Sequence, residues 1–141
     1  DLKKIIYPLG TYTKKSQNII DIANSLINIG GTVPNDRKFL ESLSGVGRKT
    51  TNVVLSILYN EPCIAVDTHV ARVSKRLGFA SKNDDVLKIE KKLTKIIPKN
   101  KMNKAHHQLV LFGRYYCIAR NPKCIDCKLQ DFCKYKKNTS N

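Results

Sequence analysis

The sequence predicts an all-α protein, and three observations carry that expectation. Apolar residues recur three and four apart along most of the 141 residues. No stretch shows the sustained alternation of a half-buried strand. Glycine, proline, asparagine and aspartate stand where those apolar stripes would start and stop. A chain of this length with 41% hydrophobic residues can bury a real core.

In chain order, Lys14 to Ile29 reads as a helix with Ile19, Ile22, Ala23, Leu26 and Ile29 on one face, stopped by Gly30-Gly31. A short helix follows, capped by Asn35 or Asp36, with Phe39, Leu40 and Leu43 inward. A third begins near Arg48 and ends near Tyr59-Asn60, its stripe formed by Val53, Val54, Ile57 and Leu58. Thr68 to Leu77 is a fourth, ended by Gly78. Asp84 to Ile97 is a fifth, with Val86, Ile89, Leu93 and Ile96 inward and Pro98 after it. Met102 to Tyr116 is a sixth, through Ala105, Leu109, Phe112 and Tyr116. The remainder has little periodicity and holds four of the five cysteines counting Cys117, and the tail KYKKNTSN reads as loose.

Charge narrows the class of partner. Net charge is +15, from 26 Lys and Arg against 11 acids. Lys, Asn and Ile total 46 residues, so AT-rich coding inflates the count. Distribution argues for more than drift. Lys91 to Lys123 holds nine basic residues and no acid, and between Glu41 and Glu61 the only charges are Arg48 and Lys49. Two segregated basic surfaces point to a polyanion, first of all a nucleic acid. No apolar run approaches membrane-spanning length and no signal peptide is visible.

Three local patterns bear chemistry. Gly45-Val46-Gly47 lies between two short helices, and the amides opening the next helix make an anion site suited to a phosphate. Taken alone, such a turn more often merely closes a helical hairpin. Lys49 falls in the first turn of that helix, where the helix dipole and Arg48 disfavour a charged ammonium. A neutral lysine is a nucleophile; a charged one is a phosphate contact, the commoner fate. Eighteen residues on, Asp67 opens the fourth helix, where capping bonds favour its anionic form. His69, beside it, reads as structural.

Cys117, Cys124, Cys127 and Cys133 form C-x6-C-x2-C-x5-C. Four thiols so close in sequence point to a metal, with a disulfide pair as the lesser alternative. Zinc and a [4Fe–4S] cluster both suit four thiolates; a zinc ribbon would more often show two close pairs. Arg120 and Lys123 sit inside the first loop. Cys63 stands apart in apolar surroundings, as a small buried residue.

These pieces, in order, carry a family resemblance: LSGVGRKTTNVV at 43–54, IAVDTHVARV at 64–73, HHQLVLFGRYYC at 106–117, and the four-cysteine loop. The set resembles the endonuclease III family of DNA glycosylases, within the helix-hairpin-helix superfamily, along nearly the whole chain. The resemblance implies an all-helical glycosylase fold, here partial. Residues 1–80 would form a helical domain holding the hairpin at about 36–59 and the carboxylate. Residues 81–134 would form a helical and iron–sulfur domain, and 135–141 a basic tail. It further implies a [4Fe–4S] cluster, rather than zinc, on Cys117, Cys124, Cys127 and Cys133. Lys49 becomes the nucleophile and Asp67 its catalytic carboxylate. Leu43, Gly45, Val46, Gly47, Arg48, Thr50, Arg120 and Lys123 become DNA contacts.

The implied activity is base excision repair by a bifunctional glycosylase and abasic-site lyase acting on oxidised pyrimidines. Its partner is double-stranded DNA with oxidised pyrimidines or abasic sites, bound by a monomer inside the cell where the DNA lies, with no membrane involved. Lys49 separates this branch from adenine-mismatch glycosylases, which generally lack a lysine there. Four departures stand out. Ser44 replaces a usual proline and Thr51 a usual alanine. In PLGTY at 8–12, Thr11 takes the place of a wedge residue that is often leucine. The chain starts midway along the family pattern, so the upstream segment that completes the helical domain is not in it. Two other readings use the same residues: a truncated, non-catalytic DNA-binding module, and a redox-active cluster protein for which DNA is incidental.

Overall fold

The computed structural model describes residues 1–135. The basic tail expected over 135–141 therefore lies, Tyr135 apart, outside the described residues. Among these, every regular element is helical: α1 Leu2–Ile5, α2 Tyr12–Ile27, α3 Arg37–Ser42, α4 Arg48–Tyr59, α5 Thr68–Leu77, α6 Val86–Ile96 and α7 Met102–Tyr115, with a 3₁₀ turn Lys99–Lys101 before α7. The chain divides into two compact units, Asp1–Thr51 and Asn52–Asn141, and α4 runs through the division.

In the first unit, α1 packs against α2, and the Tyr7 and Tyr12 rings lie 4.9 Å apart. Of the two caps proposed for α3, Asp36 is the one used: its carboxylate accepts from the Phe39 amide at 3.1 Å. Leu40 and Leu43 are buried and Phe39 half-buried. The apolar stripe expected along α2 is only partly inward. Ile22 and Leu26 are half-buried, whereas Ile19, Ala23 and Ile29 are exposed, and the fully buried residue of the helix is Ser16. The Ser16 hydroxyl bonds back to the Thr13 carbonyl, so it meets no penalty for burial.

The face of α4 also differs from the expected one. Thr51, Asn52, Leu55 and Ser56 are buried, Val53 and Val54 half-buried, and Ile57 and Leu58 remain 62% and 56% exposed. Both sets have helical spacing, so hydrophobicity alone selects the wrong one. The buried Asn52 amide donates to the Ile64 carbonyl at 2.7 Å, which fixes the rotation of α4 with a polar residue inward.

The second unit has its core in Ile64, Val66, Val70, Ala80, Ile89, Leu93 and Met102. Asp67 caps α5 by accepting from Val70 N at 2.8 Å, and Gly78 ends it with φ +85°. Asp85 caps α6 through Lys88 N, one residue later than the expected start. Ile89 and Leu93 point inward as expected, but Val86 and Ile96, at the ends of α6, are more than half exposed. The terminal turns carry these two past the edge of the core. On α7, Ala105, Leu109, Phe112 and Tyr116 are half-buried, and the deepest positions are Met102, His106 and Gly113.

The closest packing in this unit is α5 on α7. A Cβ built on Gly113 would lie 2.9 Å from His69 Cβ, 3.0 Å from Val73 Cγ2 and 3.2 Å from His69 Cα. The neighbours are rigid stems of a helix, so they cannot swing aside. Gly113→Ala should lower stability by about 1–3 kcal/mol, an overpacking cost. A chemical-denaturation midpoint equal to that of the parent would show that the helices can separate at no cost.

Candidate functional site

The glycine turn is built within the Asp1–Thr51 unit. α3 ends at Leu43 in an extended conformation, and Val46 N returns to the Leu43 carbonyl at 3.1 Å. Gly45 has φ +74°, the left-handed region that favours glycine, and the Asn18 side chain packs where its Cβ would be. Gly47 has no such φ and no neighbour within 4 Å of a built Cβ, so space rather than backbone freedom distinguishes it. The first ladder bond of α4 runs from Thr51 N to the Gly47 carbonyl at 3.0 Å. The amides of residues 48–50 thus precede the ladder and point out of the turn, an arrangement that attracts anions. Lys49 and Thr50 are exposed on this first turn, Val46 is half-buried, and Leu43 is buried. Thr11 is exposed at the entry to α2 with φ +60°, an uncommon conformation for a β-branched residue. Its hydroxyl donates to the Gly10 carbonyl at 2.6 Å.

Asp67 belongs to the second unit. It follows Ile64, Ala65 and Val66, all buried, and is itself half-buried. One carboxylate oxygen caps α5, which aims the group along the start of that helix. His69 faces α7, with its Nδ1 3.1 Å from an Arg72 guanidinium nitrogen. It is a packing residue, as expected.

The four cysteines 117, 124, 127 and 133 line one recess of about 370 Å³, partly open to solvent, together with Leu77, Phe112, Tyr116 and Pro122. All four are free thiols, which leaves no place for a disulfide framework among the described residues. The fifth, Cys63, is a free thiol as well, half-buried rather than buried. Short turns shape the loop: Cys127 N reaches the Cys124 carbonyl and Cys133 N the Gln130 carbonyl, both at 3.2 Å. The Tyr116 hydroxyl donates to the Asp126 carbonyl at 2.7 Å. Lost solvation, then Cys127, Asp126 and Cys124, push that phenol above its usual pKa. Among the described residues no three His, Cys, Asp or Glu side chains are grouped to hold a single metal ion. Four soft ligands set around an apolar recess suit a polynuclear cluster, which spreads its ligands over several metals.

The residues that hold this loop were not among those picked out by sequence. Arg76 donates to the carbonyls of Cys117 (3.3 Å), Ile118 (2.7 Å) and Ala119 (3.0 Å), and to Cys117 Sγ at 3.3 Å. Arg72 donates to the Cys117 carbonyl at 3.1 Å and the Gly113 carbonyl at 2.6 Å. The Arg76 guanidinium also lies over the Tyr135 ring, 4.3 Å from its centre. The available signal was their four-residue spacing, which puts both on one face of α5. By contrast, Arg120 and Lys123, singled out in the sequence, are exposed, with Lys123 Nζ 5.9 Å from the Tyr116 ring centre.

Comparison with known proteins bears on both units. A model for the HhH-GPD superfamily of base excision DNA repair proteins matches residues 1–99, and one for the iron–sulfur binding domain of endonuclease III matches residues 117–133. Endonuclease III of Bacillus subtilis is 47% identical over 135 residues, covering 95% of this chain and 62% of that protein. The Escherichia coli protein is 46% identical over 136 residues, covering 96% and 64%. The chain thus spans less than two thirds of the length of these relatives. The solved structure of a trapped endonuclease III–DNA covalent intermediate superposes with a TM-score of 0.94 at 48% identity, covering 99% of this chain and 66% of that one. A thermostable thymine-DNA glycosylase superposes at 0.87 with 26% identity, covering 97% and 65%.

The arginine anchors generate a prediction. Arg76→Leu leaves three loop carbonyls without their charged donor and should cost about 2–3 kcal/mol. The loop should then retain less iron per chain after gel filtration. Undiminished iron together with an unchanged melting temperature would show that Arg76 does not hold the loop.

Proposed function

The chain belongs to the endonuclease III family of the HhH-GPD superfamily and carries that family's iron–sulfur binding domain, and from that premise we propose that it acts in base excision repair as a DNA glycosylase and abasic-site lyase. The observation that carries this reading is the solvent-exposed Lys49 on the first turn of α4, directly after the Gly45-Val46-Gly47 turn. A nucleophile in that position is joined to a phosphate-gripping backbone by a single helical turn.

In this reading the turn amides and Arg48 take a backbone phosphate of double-stranded DNA, with Leu43, Gly45, Val46, Gly47 and Thr50 flanking it. The damaged base, an oxidised pyrimidine, leaves the stack to be reached, and Thr11 stands where a wedge would enter the gap. Lys49, as the free amine, attacks C1′ of the sugar while the C1′–N bond breaks and the base departs with the bonding pair. The Asp67 oxygen not spent on the α5 cap stabilises the positive charge developing on the sugar or takes the lysine proton. Opening of the sugar gives an imine between Lys49 and C1′. Loss of a C2′ proton then expels the 3′ phosphate by β-elimination, cutting the strand 3′ to the abasic site. Water finally releases Lys49. Cys117, Cys124, Cys127 and Cys133 would hold a [4Fe–4S] cluster, which supplies rigidity and charge to the loop. Arg120 and Lys123, on the rigid loop so formed, would add phosphate contacts.

Borohydride reduction in the presence of abasic duplex DNA should trap a covalent complex, and Lys49→Ala should abolish it. Trapping that survives Lys49→Ala sinks the assignment of the nucleophile. Asp67→Asn should slow single-turnover base release by about 100-fold or more, with DNA affinity changed only a few-fold. A rate equal to that of the parent would remove Asp67 from the mechanism.

A further inference from the structure

We propose that His106 is a positioning residue for Asp67, acting through a hydrogen bond from its ring to the Ala65 carbonyl; this rests on the reading of Asp67 as the catalytic carboxylate.

The segment leading into α5 is not helical, yet it is buried: Ile64, Ala65 and Val66 are each less than 5% exposed. Buried backbone carbonyls outside a helix or sheet must find partners elsewhere. Side chains from two other helices supply them. Asn52 of α4 donates to the Ile64 carbonyl at 2.7 Å. His106 of α7 bonds to the carbonyl of the next residue, Ala65. Two residues further on, Asp67 anchors itself to α5 through Val70 N. The carboxylate therefore stands at the end of a short buried tether fixed at consecutive carbonyls and at the helix cap. His106 is 8% exposed, so water cannot replace it in that bond without entering the core.

A carbonyl only accepts, so the ring nitrogen facing Ala65 must carry a proton. The neutral ring suffices for this. Burial, and then the neighbouring His107, hold His106 below the usual imidazole pKa, against opposing pulls from Asp67 and the Ala65 bond. The groups that face it are thus Asp67 at the start of α5 and His107 beside it on α7, whose rings are 5.5 Å apart. On acidification the unfolded chain takes up this proton before the folded one does. The contribution of His106 to stability is then full above the ordinary pKa of about 6.5 and falls as pH drops below it. A charge gained on the folded ring would sit beside the Asp67 carboxylate and weaken its hold on developing positive charge.

The test is a double-mutant cycle on the purified protein with its iron–sulfur cluster, read by single-turnover base release on lesion-containing duplex DNA. His106→Leu in the parent should slow the reaction on the order of 10- to 100-fold, the usual result of misplacing a reacting group. In the Asp67→Asn background the same change should slow it no further, because the tether then holds nothing that reacts. Of His106→Asn and His106→Gln, the one whose amide reaches Ala65 should restore most of the rate and lose the acid-side fall contributed by His106. Equal slowing in both backgrounds would mark His106 as merely structural and overturn the proposal, as would an unchanged rate in folded His106→Leu. Should His106→Leu not fold, the weaker amide variant takes its place in the cycle, and equal slowing in both backgrounds overturns the proposal in the same way. If Asp67→Asn itself leaves the rate unchanged, the reading of Asp67 fails and the proposal falls with it.

Discussion

Where α5 meets α7, Gly113 presents no side chain, and His69 and Val73 occupy the space a methyl group would need. The two helices can therefore lie almost backbone to side-chain stem. The contacts progress along both in the same direction: His106 meets Ala65, Gly113 meets His69 and Val73, and Arg72 and Arg76 reach Gly113 and Cys117. Everything functional in the Asn52–Tyr135 part hangs from this seam. Its upper end sets the segment that carries Asp67, and its lower end sets the cysteine loop.

The two ends of α5 are chemically opposite, and the helix makes use of that. Asp67 places a carboxylate at the positive N-terminus, while Lys75 and Arg76 lie in the last turn, at the negative end. Arg76 does more than answer the dipole. Its guanidinium gathers three consecutive loop carbonyls and one thiol, a fork geometry that a lysine cannot copy. Cations held this close to four thiols favour their anionic, metal-binding form. One short helix thus carries a carboxylate site at one end and anchors a cluster-binding loop at the other.

The hairpin turn in the Asp1–Thr51 part follows a different logic. It has few apolar residues to spare, and its shape comes from backbone conformation: the positive φ of Gly45 with Asn18 packed against it, and the return bond from Val46 to Leu43. Such a turn is rigid because its alternatives are sterically excluded rather than because it is deeply buried. That suits a surface meant to meet a phosphate with exposed amides.

Much of this was legible in the sequence, for identifiable reasons. Helix starts and stops at Asp36, Asp67 and Gly78 were readable because caps and left-handed stops depend on the residue itself and its immediate neighbours. The glycine turn, Lys49, Asp67 and the cysteine spacing were readable because each is a short linear pattern, and their order pointed to one family. Tertiary structure decided which way the helices face. On α4 the polar Asn52 turned inward and Ile57 and Leu58 outward, since one satisfied buried hydrogen bond outweighs a periodicity that fits two faces equally. It also decided the roles of Arg72, Arg76, His106 and Gly113. Their partners lie dozens of residues away in the chain, and a hydrogen bond or a steric gap between distant segments leaves no trace in the local sequence until the fold brings them together.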